Sequence, residues 1–587
     1  MRNCVLLESA RQDSSNKSNI LFYGPITILT AQSLDQIPSV FEQIEKQLAR
    51  GYYVAGYFAY ECGYHFEDVI SNVEMDPTHP LLWLGVYSQP VHVPSEILSS
   101  IGSDHEAPVR NPQLKISQEA YTHTIQAVKR YIENGDTYQV NFTDHFEFET
   151  DSPAPDLYFS LRGRQHVPYS ALIRTGDRDI LSFSPELFFR RTGNVIETKP
   201  MKGTGRRGRT TAEDDELSRS LHDDEKNRSE NLMIVDLLRN DIGRICTPGS
   251  VQVSDMFAVE RYETVLQMTS TVTGTLQEKL PYYDIFKSLF PCGSVTGAPK
   301  IRTMQIIHEL ERHRRDVYCG AIGYFSPNDE AVFNVGIRTI SLQKNKGTMG
   351  VGSGIVFDSS PEKEFEECTL KANFLLHISP DFQLLETIKW NGSYFLLDEH
   401  LKRMQDSAGY FMIPFDRDQV IETLREAANR FDPKKEYRVR LLVSRKGIPS
   451  VEKSELTPGF PSSAIKLSDE RTDSTDVWYF HKTTHRPLYT KYFEAVQKEG
   501  IADYIFRNER DEITEGTYTN IFIKKEGKLY TPPLSSGILN GIFRSFILAS
   551  DNSASEKPLF LEDLRNADEI VICNSLRGMQ KVTFLRS

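Results

Sequence analysis

No two of the seven cysteines form a CxxC pair, and none shows metal-ligand spacing. That excludes a cysteine-rich zinc module and a disulfide framework, so the scattered thiols are read as reduced, in a cytoplasmic protein. Nor is there a basic surplus. The formal net charge of -13 leaves nothing to neutralise phosphates, which argues against nucleic-acid binding. No apolar run approaches membrane-spanning length, and Met1-Arg2-Asn3-Cys4-Val5-Leu6-Leu7 holds no extended apolar core of the signal-peptide kind. The short basic run Arg206-Arg207-Gly208-Arg209, followed by Glu213-Asp214-Asp215-Glu216, reads as a solvated loop. What is present is globular: 39% hydrophobic and 25% charged residues. With 587 residues, the chain is too long for one core and is expected to hold at least two domains.

The stretch Lys199-Pro200-Met201-Lys202-Gly203-Thr204-Gly205 gives the chain its first chemical focus. Upstream, Glu186 is followed by Leu187-Phe188-Phe189-Arg190-Arg191, the turn Thr192-Gly193-Asn194 and Val195-Ile196-Glu197-Thr198, which predicts a β-hairpin. Closing it brings Glu186 within a residue or two of lying opposite Lys202. A carboxyl and an amine then face one spot beside a loop whose glycines admit a ligand. A surface Glu–Lys pair is the plainer reading of these residues alone.

Residues 1–110 read as strands with one helix near 40–48, and carry no evident chemistry. Helical spacing returns after Ser117 and again over 226–241, where Glu230 falls on the polar face. Phe290-Pro291-Cys292-Gly293-Ser294-Val295-Thr296-Gly297 reads as a loop opening a helix over 301–311, suited to an anion such as a carboxylate. Tyr318 follows, then Arg338 in a strand-like run over 332–340. There it either clamps a carboxylate or lies on the solvent face. Gly352 and Gly354 mark a strand against which a ligand can lie. Ser360 and Pro361 start a helix whose Glu364, Glu367 and Lys371 share one face. Two carboxylates in register, with Glu230 as a third, suit a hard cation such as Mg2+.

Seven motifs in order, SPELFF, ETKPMKGT, SENLMIVDLLRND, CGSVTGAPKIRTMQII, GAIGY, FNVGIRTI and GSGIVFDSSPEKEFEE, make the chain resemble the chorismate-utilising family over about 115–375. The resemblance implies an α/β (α+β) fold with large antiparallel sheets and outer helices. It also implies Lys202 as nucleophile, Glu186 as general acid/base and Mg2+ on Glu230, Glu364 and Glu367. Ser294, Tyr318, Arg338, Gly352 and Gly354 become chorismate contacts. Lysine at 202 points to the aminodeoxychorismate synthase branch, because anthranilate synthases carry a small residue there. Asn227 and Gln267 depart from some relatives, which carry Glu and His at these positions.

The pattern restarts near residue 380. Lys482, Glu515 in Thr514-Glu515-Gly516-Thr517, Gly541-Ile542-Phe543 and Asn574-Ser575 follow in order. Over about 380–587 the chain resembles the fold-type IV pyridoxal-phosphate enzymes, which have two subdomains, and aminodeoxychorismate lyases in particular. The resemblance implies Lys482 as the Schiff-base lysine, Glu515 as partner of the pyridinium nitrogen and Arg403, Ile542, Phe543, Asn574 and Ser575 around the phosphate. It also suggests Thr387 as a substrate contact. The expected domains are 1–377 and 380–587, making 4-aminobenzoate from chorismate and ammonia. No glutaminase motif (a Gly-x-Cys-x-Gly elbow with a downstream His–Glu pair) is visible. A separate glutamine amidotransferase subunit is therefore expected, and a dimer through the second half remains open. The alternatives are an anthranilate or isochorismate synthase-like first half, a branched-chain or D-amino acid aminotransferase in the second, and a catalytically dead half that only binds a glutaminase.

Overall fold

The computed structural model describes residues 2–9, 19–67, 79–101, 107–376, 380–457 and 459–585. The boundary expected between 377 and 380 falls outside them. The chain divides into two compact units, one formed by Met1–Arg206 and Ser218–Ser379, the other by Arg207–Leu217 and Pro380–Ser587.

The first unit is built on two ten-stranded sheets in which every strand pair is antiparallel. One carries the neighbours Gln139–Glu149, Lys346–Ile355, Thr339–Gln343 and Asp179–Ser184. The other begins with Met201–Arg206, Val265–Thr275, Val195–Lys199 and Leu187–Thr192. Their facing sides meet in one apolar layer, where Val5, Phe22 and Ile173 of the first sheet lie against Tyr57, Trp83 and Tyr87 of the second. Helices cover the outer faces. Ile37–Ala49 buries Ile37, Val40, Phe41, Ile44 and Leu48, one stripe at helical spacing. Each such side chain contributes roughly 1.5–3 kcal/mol by leaving water. On the other side Gln118–Glu133 buries Tyr121, Ile125 and Val128, and the hydroxyl of Ser117 accepts from Ala120 N (3.2 Å) to cap it.

The second unit holds a three-stranded antiparallel sheet (Leu384–Trp390, Tyr437–Val443, Pro449–Glu455) with its own core against Leu397–Tyr410 and Arg417–Ala428. A mixed eight-stranded sheet has a separate core around Ile505, Ile521 and Ile572. These are the two subdomains expected. The basic run departs from expectation. Arg207 is buried, donates to Asp214 (Nε to Oδ2, 2.8 Å) and lies 4.4 Å from the ring centroid of Tyr410, while Gly208 N donates to Asp214 Oδ1 at 2.6 Å. The acidic residues that suggested a solvated loop are the ones that neutralise its arginines.

Candidate active sites

In the first unit the hairpin closes with Leu187 opposite Lys199, so Glu186 falls two residues short of Lys202, within the predicted range. Lys202 itself lies on the next strand, which leaves the hairpin and pairs with Val265–Thr275 along the sheet edge. A cavity of about 460 Å³ opens there, and all ten residues expected in this half line it: Glu186, Lys202, Glu230, Ser294, Tyr318, Arg338, Gly352, Gly354, Glu364 and Glu367.

Burial pushes the Glu186 carboxyl up to about 7, against the lowering pull of the Ser294 hydroxyl, Lys202 and the Met201 amide. Its Oε1 is buried with no hydrogen-bond partner among the described residues. Burial and the charge of Lys371 hold the Lys202 amine below its ordinary value, while Glu186, Glu230 and Glu367 oppose the shift. A carboxyl with an open acceptor and an amine biased towards neutrality are the two ingredients of acid/base-assisted nucleophilic chemistry. Side chains hold the Lys202 backbone. Asn231 Nδ2 donates to Lys202 O (3.3 Å), and Ser270 Oγ donates to Asn231 Oδ1 (2.6 Å). A Cβ on Gly354 would lie 2.2 Å from Gln139 Nε2 and 3.1 Å from Lys202 Nζ, so a side chain here would have to displace both of these cavity groups.

Several local readings change. Arg338 is not within a strand. It sits between Glu330–Val335 and Thr339–Gln343 at φ +50°, a single left-handed residue. Its guanidinium donates to Gln165 rather than to a carboxylate, and burial lowers its pKa. The loop at Ser294 runs into a short strand, Gly297–Ala298, paired with Gln139–Glu149, before the helix Lys300–Leu310 begins behind Pro299. Ser294 Oγ lies 3.2 Å from Cys292 Sγ and lowers the pKa of Glu186. Asn227 N donates to Asp224 Oδ1 (2.8 Å), which caps the helix Glu225–Gly243, and Gln267 accepts from Thr204 (3.2 Å). Glu364 accepts from Ser359 (2.8 Å) and Glu367 pairs with Lys371 (2.7 Å). The three glutamates border one space, but their donor atoms are not drawn to ligand spacing. Among the described residues only Asp144, His145 and His313 bring three donor atoms within 4.8 Å. Gln139, Asn231 and Ser270 went unread because nothing in their sequence setting separates them from ordinary strand and helix residues.

In the second unit a cavity of about 710 Å³ is lined by every residue expected there: Thr387, Arg403, Lys482, Glu515, Ile542, Phe543, Asn574 and Ser575. Burial, with Arg486 and Arg403 nearby, brings the Lys482 amine down to about 7. Burial pushes Glu515 up to about 7, although it accepts from Tyr489 Oη (2.9 Å), Leu539 N (3.1 Å) and Asn520 Nδ2 (3.0 Å). Ile542 begins a nine-residue helix, so the amides of Ile542 and Phe543 are among its unpaired first-turn donors. A Cβ on Gly541 would fall 1.8 Å from Asn520 Oδ1. Ser575 Oγ donates to Thr387 O (3.4 Å), tying the two sheets at the cavity.

Glu386 is the residue sequence reading missed. Arg403 donates to it twice (Nε and Nη2, each 2.7 Å) and His400 Nδ1 lies at 2.6 Å. Burial alone would raise its pKa, but Arg403 and His400 hold it at about 2. Arg403 also donates to Asn540 O (2.9 Å), beside the helix start. An acidic residue in the middle of an apolar strand was the available signal.

Residues 2–377 match the profile of the chorismate binding enzymes, and residues 383–584 that of the class IV amino-transferases. Aminodeoxychorismate synthase component 1 of Salmonella typhimurium is 35% identical over 342 residues, 55% of this chain and 75% of that protein. The Bacillus subtilis protein of that name is 40% identical over 44% of this chain, and the match spans about half (54%) of its length. Anthranilate synthase component 1 1 of Haloarcula marismortui is 41% identical over 44% of this chain and 53% of its own. Among solved structures, anthranilate synthase component I from Streptococcus pneumoniae superposes with a TM-score of 0.54 at 26% identity, covering 62% of this chain and 92% of that one.

Proposed function

The chain belongs to the chorismate-binding enzymes, and from that membership we propose that it makes 4-aminobenzoate in two steps, aminating chorismate to 4-amino-4-deoxychorismate in residues 1–377 and eliminating pyruvate from that product in residues 380–587. Similarity does not separate aminodeoxychorismate from anthranilate synthases, since both stand near 40% identity. The observation that carries the reading is a buried lysine, Lys202, whose amine is held below its ordinary pKa, in one cavity with a carboxyl whose pKa is about 7 and whose Oε1 has no hydrogen-bond partner among the described residues.

In the first step the Lys202 amine attacks C2 of chorismate as the C4 hydroxyl leaves, and ammonia then enters at C4 and releases the lysine. Glu186, protonated below about pH 7, gives the departing hydroxyl its proton and takes one from the entering ammonia. Arg338 and the small-residue strand at Gly352 and Gly354 position the substrate. Mg2+ fits the donor chemistry of Glu230, Glu364 and Glu367, three carboxylates on one cavity. There it would offset the charge of a substrate carboxylate.

A class IV amino-transferase domain implies pyridoxal 5'-phosphate. The residues fit it: a helix start and Arg403 for a phosphate, Lys482 for the aldehyde, Glu515 for the ring nitrogen. When bound, that group supplies an electron sink for the carbon bearing the amine. Lys482 takes the proton from that carbon while the enolpyruvyl C–O bond breaks. Pyruvate leaves and the ring becomes aromatic. The words "component 1" in the relatives' names support a separate amidotransferase as the ammonia source.

The test supplies chorismate, Mg2+ and ammonium to the full chain. 4-Aminobenzoate and pyruvate in equal amounts are expected. Anthranilate as product would refute the first assignment, and accumulated 4-amino-4-deoxychorismate would refute the second.

A further inference from the structure

The second cavity has a cationic wall that neither step uses. On the strand Tyr437–Val443, Tyr437, Val439, Leu441 and Val443 are buried in the subdomain core. Strand alternation therefore turns Arg438 and Arg440 to the other face, where both line the cavity. The adjoining strand sets Lys389 opposite Arg438 and Thr387 opposite Arg440, and Arg486 and Arg577 border the same space.

These cations are not equivalent. Lys389 pairs with Glu436 (2.8 Å) and Arg440 with Glu452 (2.7 Å). Arg577 Nε donates to Gly459 O at 2.6 Å, and Arg486 donates to Thr517 O. The guanidinium of Arg438, a half-buried residue, has no hydrogen bond or ion pair with any described residue. Burial and the charges of Arg440, Arg577 and Arg486 all weigh against its protonated form, and only Glu452 opposes them. Four guanidiniums around so little negative charge repel one another until an anion arrives.

We propose that Arg438 is a substrate-binding, specificity-determining residue that takes a carboxylate of the substrate and, with Arg440, selects dianionic ring substrates over amino acids with one carboxylate. This rests on the lyase reading above. 4-Amino-4-deoxychorismate carries one carboxylate on the ring and another on the enolpyruvyl ether, whereas an amino acid with a single carboxylate would leave the wall uncovered.

The experiment compares holoenzymes of wild type, Arg438→Met and Arg438→Lys in the full chain, supplied with 4-amino-4-deoxychorismate. Losing a charge-assisted hydrogen bond is expected to raise KM about 10- to 100-fold in Arg438→Met, with kcat changed far less. Cofactor absorbance and melting temperature should match wild type, and Arg438→Lys should recover part of the loss. Ki for the product 4-aminobenzoate gives a second readout of carboxylate binding. KM and Ki both within twofold of wild type would overturn the role of Arg438 alone. A wild type that forms no 4-aminobenzoate but transaminates D-alanine or a branched-chain amino acid would instead overturn the lyase reading and this inference with it.

Discussion

Both cavities pair a lysine with a buried glutamate whose pKa is about 7, yet the two glutamates are held in opposite ways. Glu515 is saturated, with a phenol, an amide N–H and an asparagine on its two oxygens. Glu186 Oε1 is buried with no hydrogen-bond partner among the described residues. A carboxyl fixed by three donors is built to stay put beside a cationic ring, while one with a free acceptor can gain and lose a proton. The lysines differ as well. Lys202 has one cation, Lys371, and three glutamates around it, whereas Arg486 and Arg403 stand by Lys482 against Glu386 and Glu515 and help bring it down to about 7. On the function proposed above, the same two residue types serve proton transfer in one unit and cofactor binding in the other.

The largest effect should come from exchanging which lysine is missing. Lys202→Ala is expected to lower amination by about a thousandfold or more while leaving 4-aminobenzoate release from supplied 4-amino-4-deoxychorismate intact, and Lys482→Ala should do the reverse. Assaying each half with its own substrate checks this, and parallel losses in both would erase the comparison. Next, Glu186→Gln should cost about 10²–10⁴ in the first step. Wild-type kcat/KM should fall as pH rises through about 7, where Glu186 loses its proton, and the variant should lack that limb. The folded pKa also lies above the ordinary 4.5. The native state therefore holds the proton longer, and the stability that Glu186 contributes declines between pH 4.5 and 7. Urea titrations of the variant should show that slope removed.

Smaller, and confined to the second unit, Glu386→Ala leaves Arg403 without its buried partner. It should cost about 3 kcal/mol in stability and weaken pyridoxal-phosphate binding roughly tenfold, measured by cofactor titration. The mildest change is kinetic. Because Lys482 titrates near 7, cofactor uptake by the apoprotein should speed up as pH rises through 7 and then level off. An unperturbed lysine would keep accelerating towards 10.5.

Local signals in the sequence reached both sites unevenly. The hairpin around Thr192-Gly193-Asn194 was legible because strand periodicity and turn chemistry agree there, and Glu186 arrived within two residues of its expected place. Arg338 was misplaced because a non-glycine residue at positive φ leaves no trace in a run of strand-forming neighbours. The basic run at Arg207 was misread because its neutralising partner is Asp214, on the helical turn that follows, and burial depends on Tyr410, two hundred residues away. Glu386 was overlooked for a similar reason. Its partners His400 and Arg403 come together only once strand and helix pack.

The measurement closest to the central claim is mass spectrometry of the full chain incubated with chorismate and Mg2+ but no ammonium. An adduct of chorismate less one water on the peptide bearing Lys202, discharged when ammonium is added, is the expected result. 4-Amino-4-deoxychorismate formed at an undiminished rate by Lys202→Ala, with no adduct on the wild type, would contradict it.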